Sequence, residues 1–207
     1  MRIDVWSDYV CPFCYLELPV LEALAAELGG AVQVHWRAFE LRPDPVPTLD
    51  PAGDYLRTTW ARAVYPMAAE RGMTLVLPPV QPRSRLALEA AEHARGEQLY
   101  GPMHRALFAA FFEHGRDIGD IDVLVEIGAS VGLSADGLRA ALRDARHTAR
   151  VLADERLAQE LGVTGVPMMV LSAADAPLQD AVGLSGAQPP ERVRAVVHDW
   201  LGRRGAG

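Results

Sequence analysis

The sequence predicts an α/β fold: a βαβ unit opens the chain, a ββα unit closes it, and a large all-helical insertion lies between them. Three observations predict this. Strand and helix periods alternate over the first forty residues. From about 52 to 161 the pattern is almost wholly helical. Strand character then returns at "GVTGVPMMVLS" before one last helix. With 207 residues, half of them hydrophobic, the chain suits one large domain or a small domain carrying a long insertion. The expected division is residues 1–44 with 150–207 as the sheet-bearing domain, and 45–149 as the helical insertion.

Residues 2–6 alternate and read as a short strand. Leu16, Val20, Leu24 and Leu28 then recur at helical spacing, with Leu21 widening the stripe, and Gly29-Gly30 ends the run. "AVQVHWRAF" is a second strand, with Val32, Val34 and Trp36 on one face. A parallel βαβ unit satisfies this order. "LRPDPVPTLDP" carries four prolines in eleven residues and breaks regular structure. Beyond it, Leu86, Ala90 and Ala94 form one apolar stripe, and Leu99, Met103, Leu107, Ala110 and Phe111 another. The stretches 120–132 and 135–147 each begin near Asp or Ser. "VLPPVQPRSR" interrupts the block, with Ser84 as an N-cap for the helix after it. A turn near "AADAP" separates two closing strands, and "SGAQPPERVRAVVHDWL" reads as a helix with prolines in its first turn.

Charge and targeting narrow the function. A net charge of −7 argues against nucleic acid and anionic membranes as partners. All twenty basic residues are arginine, which removes lysine Schiff bases and P-loops from consideration. No run approaches the ~20 apolar residues of a membrane span, and "MRIDVWSD" does not read as a signal peptide. The expected location is cytoplasmic, where a Cys-x-x-Cys pair is catalytic or metal-binding more often than a fixed disulfide.

The only cysteines are Cys11 and Cys14, in "SDYVCPFCYLELP". They sit where a strand gives way to a helix. Unpaired N–H groups at a helix start favour a thiolate over a thiol, and Pro12 suits a first helical turn. Cys14, one turn further in, would stay a thiol and expel a partner from a mixed disulfide. Two bland readings stand beside this one: buried cysteines at helical spacing, and half of a zinc site shared across a dimer axis. A complete zinc site needs two more ligands than the pair supplies, so no metal is expected. Pro167, in "TGVPMMV", is either an ordinary proline at a strand mouth or a cis-proline facing the cysteines.

These pieces resemble the DsbA-like branch of the thioredoxin superfamily, and within it the FrnE-type oxidoreductases. "SDYVCPFCY", "FFEHGRDIGDIDVLVEIGASVGL", "LGVTGVPMMV" and "SGAQPPE" carry the resemblance, in order, over nearly the whole chain. It implies a thioredoxin-like fold with Cys11 as nucleophile, Cys14 as resolving thiol and Pro167 as cis-proline. The Val166 backbone would pair with a bound peptide or glutathione-like substrate. Pro12 and Phe13 would border that substrate, and the insertion would cap the site. Pro19 falls where thioredoxins kink their first helix. Phe13 departs from the Trp or His of relatives, and Arg83-Ser84 departs from an Asn-containing pair.

Other residues carry two readings each. Asp8 either tunes the thiols or caps the turn. Ser185 either binds a substrate carboxylate or caps a helix. The histidines at 35, 93, 104, 114, 147 and 198 show no ligand spacing, and the tryptophans at 6, 36, 60 and 200 read as core or cleft wall. The expected activity is thiol–disulfide exchange on a protein or small-molecule partner, with no bound cofactor and glutathione as a candidate co-substrate. Two alternatives are a glutathione-dependent isomerase or transferase of the hydroxychromene-carboxylate isomerase or kappa-class type, and a non-catalytic binding module. The sequence does not set the oligomeric state.

Overall fold

A computed structural model of the chain describes residues 1–174, 178 and 181–205. Strands β1 (Arg2–Ser7), β2 (Gln33–Ala38), β3 (Met168–Ser172) and β4 (Val182–Ser185) form one sheet in the order β2-β1-β3-β4. β1 and β2 run parallel, and α1 (Pro12–Leu28) is the crossover that a parallel pair requires. β3 lies antiparallel to both β1 and β4.

β1 is an interior strand, buried on both faces from Ile3 to Ser7 instead of alternating between core and water. Ile3 and Val5 pack with Leu21 and Leu24 of α1, Met169 and Leu171 of β3, and Val193 and Val197 of α9 (Pro190–Gly205). Trp6 faces the other way, onto Val170 and onto Ala158 of α8 (Thr148–Glu160). Asp4 shares that second face. A buried carboxylate must be paired: Asp4 accepts from Arg37 Nε at 2.6 Å and Arg2 Nε at 2.7 Å, and Arg37 Nη1 reaches Asp154 of α8 at 2.7 Å.

Between β2 and β3 stand α2 (Asp54–Thr59), α3 (Tyr65–Glu70), α4 (Arg85–Gly96), α5 (Tyr100–Phe112), α6 (Ile121–Ser130), α7 (Ala135–Arg143) and α8, with one wide helical turn, Trp60–Val64, joining α2 to α3. Asp120 and Ser134 cap α6 and α7 as expected, accepting from the Asp122 and Gly137 amides at 2.7 and 3.2 Å. Residues 71–84 depart from the nearly unbroken helical reading: they form neither helix nor strand. Pro78, Pro79 and Pro82 remove backbone donors there. The segment is tied instead by the Val76 amide, which donates to the last carbonyl of α5, Phe112, at 2.7 Å. The expected "AADAP" turn falls partly outside the described residues.

Candidate active site

Cys11 is the N-cap of α1, with extended backbone angles (φ −98°, ψ 110°), and Pro12 occupies the first helical position. Both cysteines are free thiols. Cys14 is fully buried, whereas Cys11 retains 4% of its surface. The Cys11 thiol donates to the Val166 carbonyl at 3.5 Å. The Val166–Pro167 peptide bond is cis; so is Asp44–Pro45, which sequence reasoning missed. The chain therefore brings Cys11, Cys14, Val166 and Pro167 to one place.

Cys11 opens into a cleft of about 210 Å³ whose walls include Phe13, Leu56, Trp60, Phe112 and Val166. Its polar side chains include Thr59, Gln81, Cys11 and Tyr55, and among the described residues no charged side chain lines it. A neighbouring groove shares Val10, Leu41, Leu49 and Gln81 with this cleft and adds Arg42 and Arg83. α2 and the turn after it supply the far wall, so the helical insertion covers the thiols.

Burial pushes the Cys14 thiol well above its ordinary pKa, and its hydrogen bond to the Cys11 sulfur pushes the same way; the Asp8 backbone and the Ser7 hydroxyl pull it back in part. Asp8 is fully buried. One carboxylate oxygen accepts from the Leu41 amide at 2.7 Å, the other from the Val10 amide at 3.3 Å, and its carbonyl accepts from the Cys11 amide at 3.1 Å. Burial raises its pKa to about 6, against the hydrogen bonds from Leu41, Ser84 and Val10. Asp8 thus caps the turn carrying Cys11. Ser84 is the N-cap residue of α4, as the sequence reading has it, but its hydroxyl makes no capping bond there and serves Asp8.

Pro19 lies inside α1 and cannot donate to the Tyr15 carbonyl. The next carbonyl, Leu16, also accepts from Arg71, whose guanidinium reaches Glu17 at 3.3 Å and the Gln188 carbonyl at 2.7 Å. Ser185 ends β4, and α9 starts five residues later, so Ser185 caps no helix. Its carbonyl accepts from the Gln188 side chain.

Sequence reasoning missed His104. It is buried on α5, and its Nδ1 pairs with the Tyr9 hydroxyl at 2.7 Å. Burial pushes its pKa down to about 3 and keeps the ring neutral. The signal was present: Tyr9 precedes the thiol motif, and His104 lies inside an apolar stripe. His93 and His147, unrelated by spacing, meet at 3.3 Å. Trp6 is core, Trp60 is cleft wall, Trp36 packs on His104, and Trp200 packs on the core under α1 and α9. Among the described residues, no cluster of three or more His, Cys, Asp or Glu could hold a metal ion, and no helix is long and apolar enough to cross a membrane.

A four-stranded mixed sheet with a free Cys-x-x-Cys pair at the first helix cap and a cis-proline opposite defines a thioredoxin-fold dithiol protein. The family described as DSBA-like thioredoxin domain matches residues 2–197. The chain belongs to that family. The Bacillus subtilis protein YwbO, described as uncharacterized, is 34% identical over 175 residues, which is 83% of this chain and 86% of that one. A probable DsbA oxidoreductase from Streptomyces coelicolor is 29% identical, with a TM-score of 0.77 over 97% of this chain and 90% of that one. The cytosolic disulfide reductase DsbM from Pseudomonas aeruginosa, solved with GSH, shares the fold at 23% identity and a TM-score of 0.72, over 97% and 99% of the two chains.

Proposed function

We propose that the chain is a thiol–disulfide oxidoreductase of the FrnE type, in which Cys11 attacks and Cys14 resolves. One observation carries the reading: two free thiols one helical turn apart, the first lining a cleft and the second sealed behind it. In the forward step a Cys11 thiolate attacks a substrate disulfide, and one substrate thiol leaves. Cys14 then attacks the Cys11 sulfur, the second substrate thiol leaves, and a Cys11–Cys14 disulfide remains. Pro12 and Phe13 flank the incoming sulfur. The Val166 backbone and Pro167 form the opposite edge, where a peptide or glutathione-like backbone would lie. Glutathione fits as a co-substrate if its carboxylates reach Arg42 and Arg83 in the neighbouring groove.

An isomerase that addresses glutathione through one residue has no use for a second thiol beside it, so Cys14 favours exchange. A reducing, cytoplasmic setting agrees with this reading, since the pair is recycled there by thiols. The test is equilibration of the purified chain in glutathione buffers of graded composition, followed by acid quenching and mass measurement of the Cys11–Cys14 state. A reversible two-electron transition supports exchange. A pair that stays reduced throughout, with no mixed disulfide, overturns it.

A further inference from the structure

The uncharged cleft over Cys11 runs on into a groove that does carry charge. The two share Val10, Leu41, Leu49 and Gln81, and among the described residues the groove's charged lining is Arg42 and Arg83. A substrate that reaches from Cys11 into the groove with a carboxylate meets these two guanidinium groups. Arg83 is already engaged. Its Nη1 donates to the Arg42 and Val46 carbonyls at 3.0 Å each, and its Nη2 lies 3.1 Å from the Asp44 carboxylate. All three partners belong to one turn, in which the Val46 amide donates to the Pro43 carbonyl at 2.8 Å. Arg42 donates to a neutral partner, the Pro47 carbonyl, at 3.2 Å. The two carbonyls suffice to dock the turn on Arg83. Asp44 adds little to that docking: its side chain is 83% exposed, and an ion pair so open to water contributes almost nothing to stability. What Asp44 does supply is a resident carboxylate on a guanidinium beside the thiol cleft.

We propose that Asp44 is a charge filter on the exchange site: by occupying Arg83 it selects against disulfides that carry a carboxylate and in favour of uncharged ones. The proposal rests on the exchange reading above and adds the charge class of its substrate. The bonds made and broken in exchange stay the same; only binding differs. Arg42 and Arg83 bring two positive charges to the groove, and Asp44 cancels one of them. A substrate carboxylate reaches Arg83 Nη2 by displacing Asp44, which replaces one exposed ion pair with another and gains nothing net. The displaced Asp44 stays within a Debye length of ~8 Å and repels the newcomer. An uncharged disulfide needs no such displacement and meets the apolar walls of the cleft directly. Selectivity of this kind comes from denying the wrong substrate a partner. Glutathione disulfide can still react, but it forgoes the attraction that a free Arg83 would give its carboxylates.

Glutathione disulfide and its ethyl ester share one frame and differ in their carboxylates. The readout is the ratio of their second-order rate constants, acid over ester, for oxidising the reduced chain, followed as loss of protein thiols. In Asp44→Asn this ratio rises by about two- to fivefold, the range that one exposed ion pair supports. Asp44→Ser, which also removes the charge, gives the same rise and serves equally if Asp44→Asn does not fold. In the double variant Asp44→Asn with Arg83→Gln the rise disappears, because no guanidinium is left to free. High ionic strength shrinks the rise, since the pair is exposed. An Asp44 that merely holds its turn would change both rate constants by one factor and leave the ratio as it was. An unchanged ratio in the folded Asp44 variants overturns the proposal, and so does a rise that persists without Arg83. A wild-type chain that neither disulfide oxidises overturns the exchange reading itself.

Discussion

The Cys11 sulfur lies 3.5 Å from the carbonyl oxygen of Val166, a residue 155 positions away in sequence. That approach fixes which thiol faces the cleft. Cys11 lines it, and Cys14 sits behind with no exposed surface and a raised pKa. Iodoacetamide near neutral pH should therefore label Cys11 first. Cys11→Ser should abolish exchange, whereas Cys14→Ala should accumulate a mixed disulfide visible by mass as one added thiol. Faster labelling of Cys14 than of Cys11 would reverse the assignment of roles.

Two buried titratable groups, Asp8 and His104, act in opposite directions on stability. Asp8 holds its proton up to about pH 6 when folded, whereas an unfolded chain releases it near ~3.9. Between those values the folded chain carries the extra proton, so this contribution to stability falls as pH rises, by roughly 3 kcal/mol in all. His104 refuses a proton down to about pH 3, although an unfolded chain takes one near ~6.5. Its contribution is complete above that value and is lost as pH falls through the window. Asp8→Asn removes the first slope and leaves the second. Its Tm should climb more steeply than wild type between pH 4 and ~6. Parallel Tm–pH curves would show that Asp8 carries no such penalty.

Glu17 and Arg71 bind α1 to the chain beyond α3 and to the loop before α9. Both side chains are buried, at 0% and 7% exposure, and Arg71 also serves the Leu16 and Gln188 carbonyls. Removing one member of a buried pair leaves the other uncompensated, which costs about 3–5 kcal/mol. Arg71→Ala should lose about that much stability in urea unfolding. The double variant Arg71→Ala with Glu17→Ala should lose less than the sum of the singles. Strict additivity would mean that the pair is not coupled.

The parts of this site that were legible in sequence share a cause: each is local. The thiol pair, Pro12, the helical stripe through Leu16 and Leu24, and the caps at Asp120 and Ser134 are fixed by residues within one or two turns. Pro167 was legible only through its partnership with the pair. What was not legible depends on residues far apart in the chain. Ser84 does stand at the N-cap of α4, but its hydroxyl serves the distant, buried Asp8 and not the helix. Ser185 looked like a cap because glycine and prolines follow, but β4 runs up to it and α9 begins later. His104 was read with the other histidines because its partner, Tyr9, lies 95 positions away. The segment 71–84 has apolar residues to bury but too few backbone donors to bury them as a helix.

Phe13 gives the last prediction. It lies between the cysteines, half-buried, with its ring in the cleft wall. A phenyl ring packs and excludes water but donates no hydrogen bond. In this position a histidine would place an N–H donor, or a positive charge, beside the Cys11 sulfur. That favours the ionised, reduced pair over the disulfide, because only the reduced form has a thiolate to receive the bond. A more stable reduced form means a higher reduction potential. For this two-electron couple, each ~30 mV corresponds to about 1.4 kcal/mol, and a hydrogen bond to a charged group contributes about 1.5–3 kcal/mol. Phe13→His should therefore raise the potential by roughly 30–60 mV. Glutathione equilibria of both proteins, measured side by side, give the difference. An unchanged or lower potential in the variant would mean that the cleft wall at position 13 does not limit thiolate stabilisation, and Asp8, whose carbonyl holds the Cys11 amide at 3.1 Å, becomes the residue to vary.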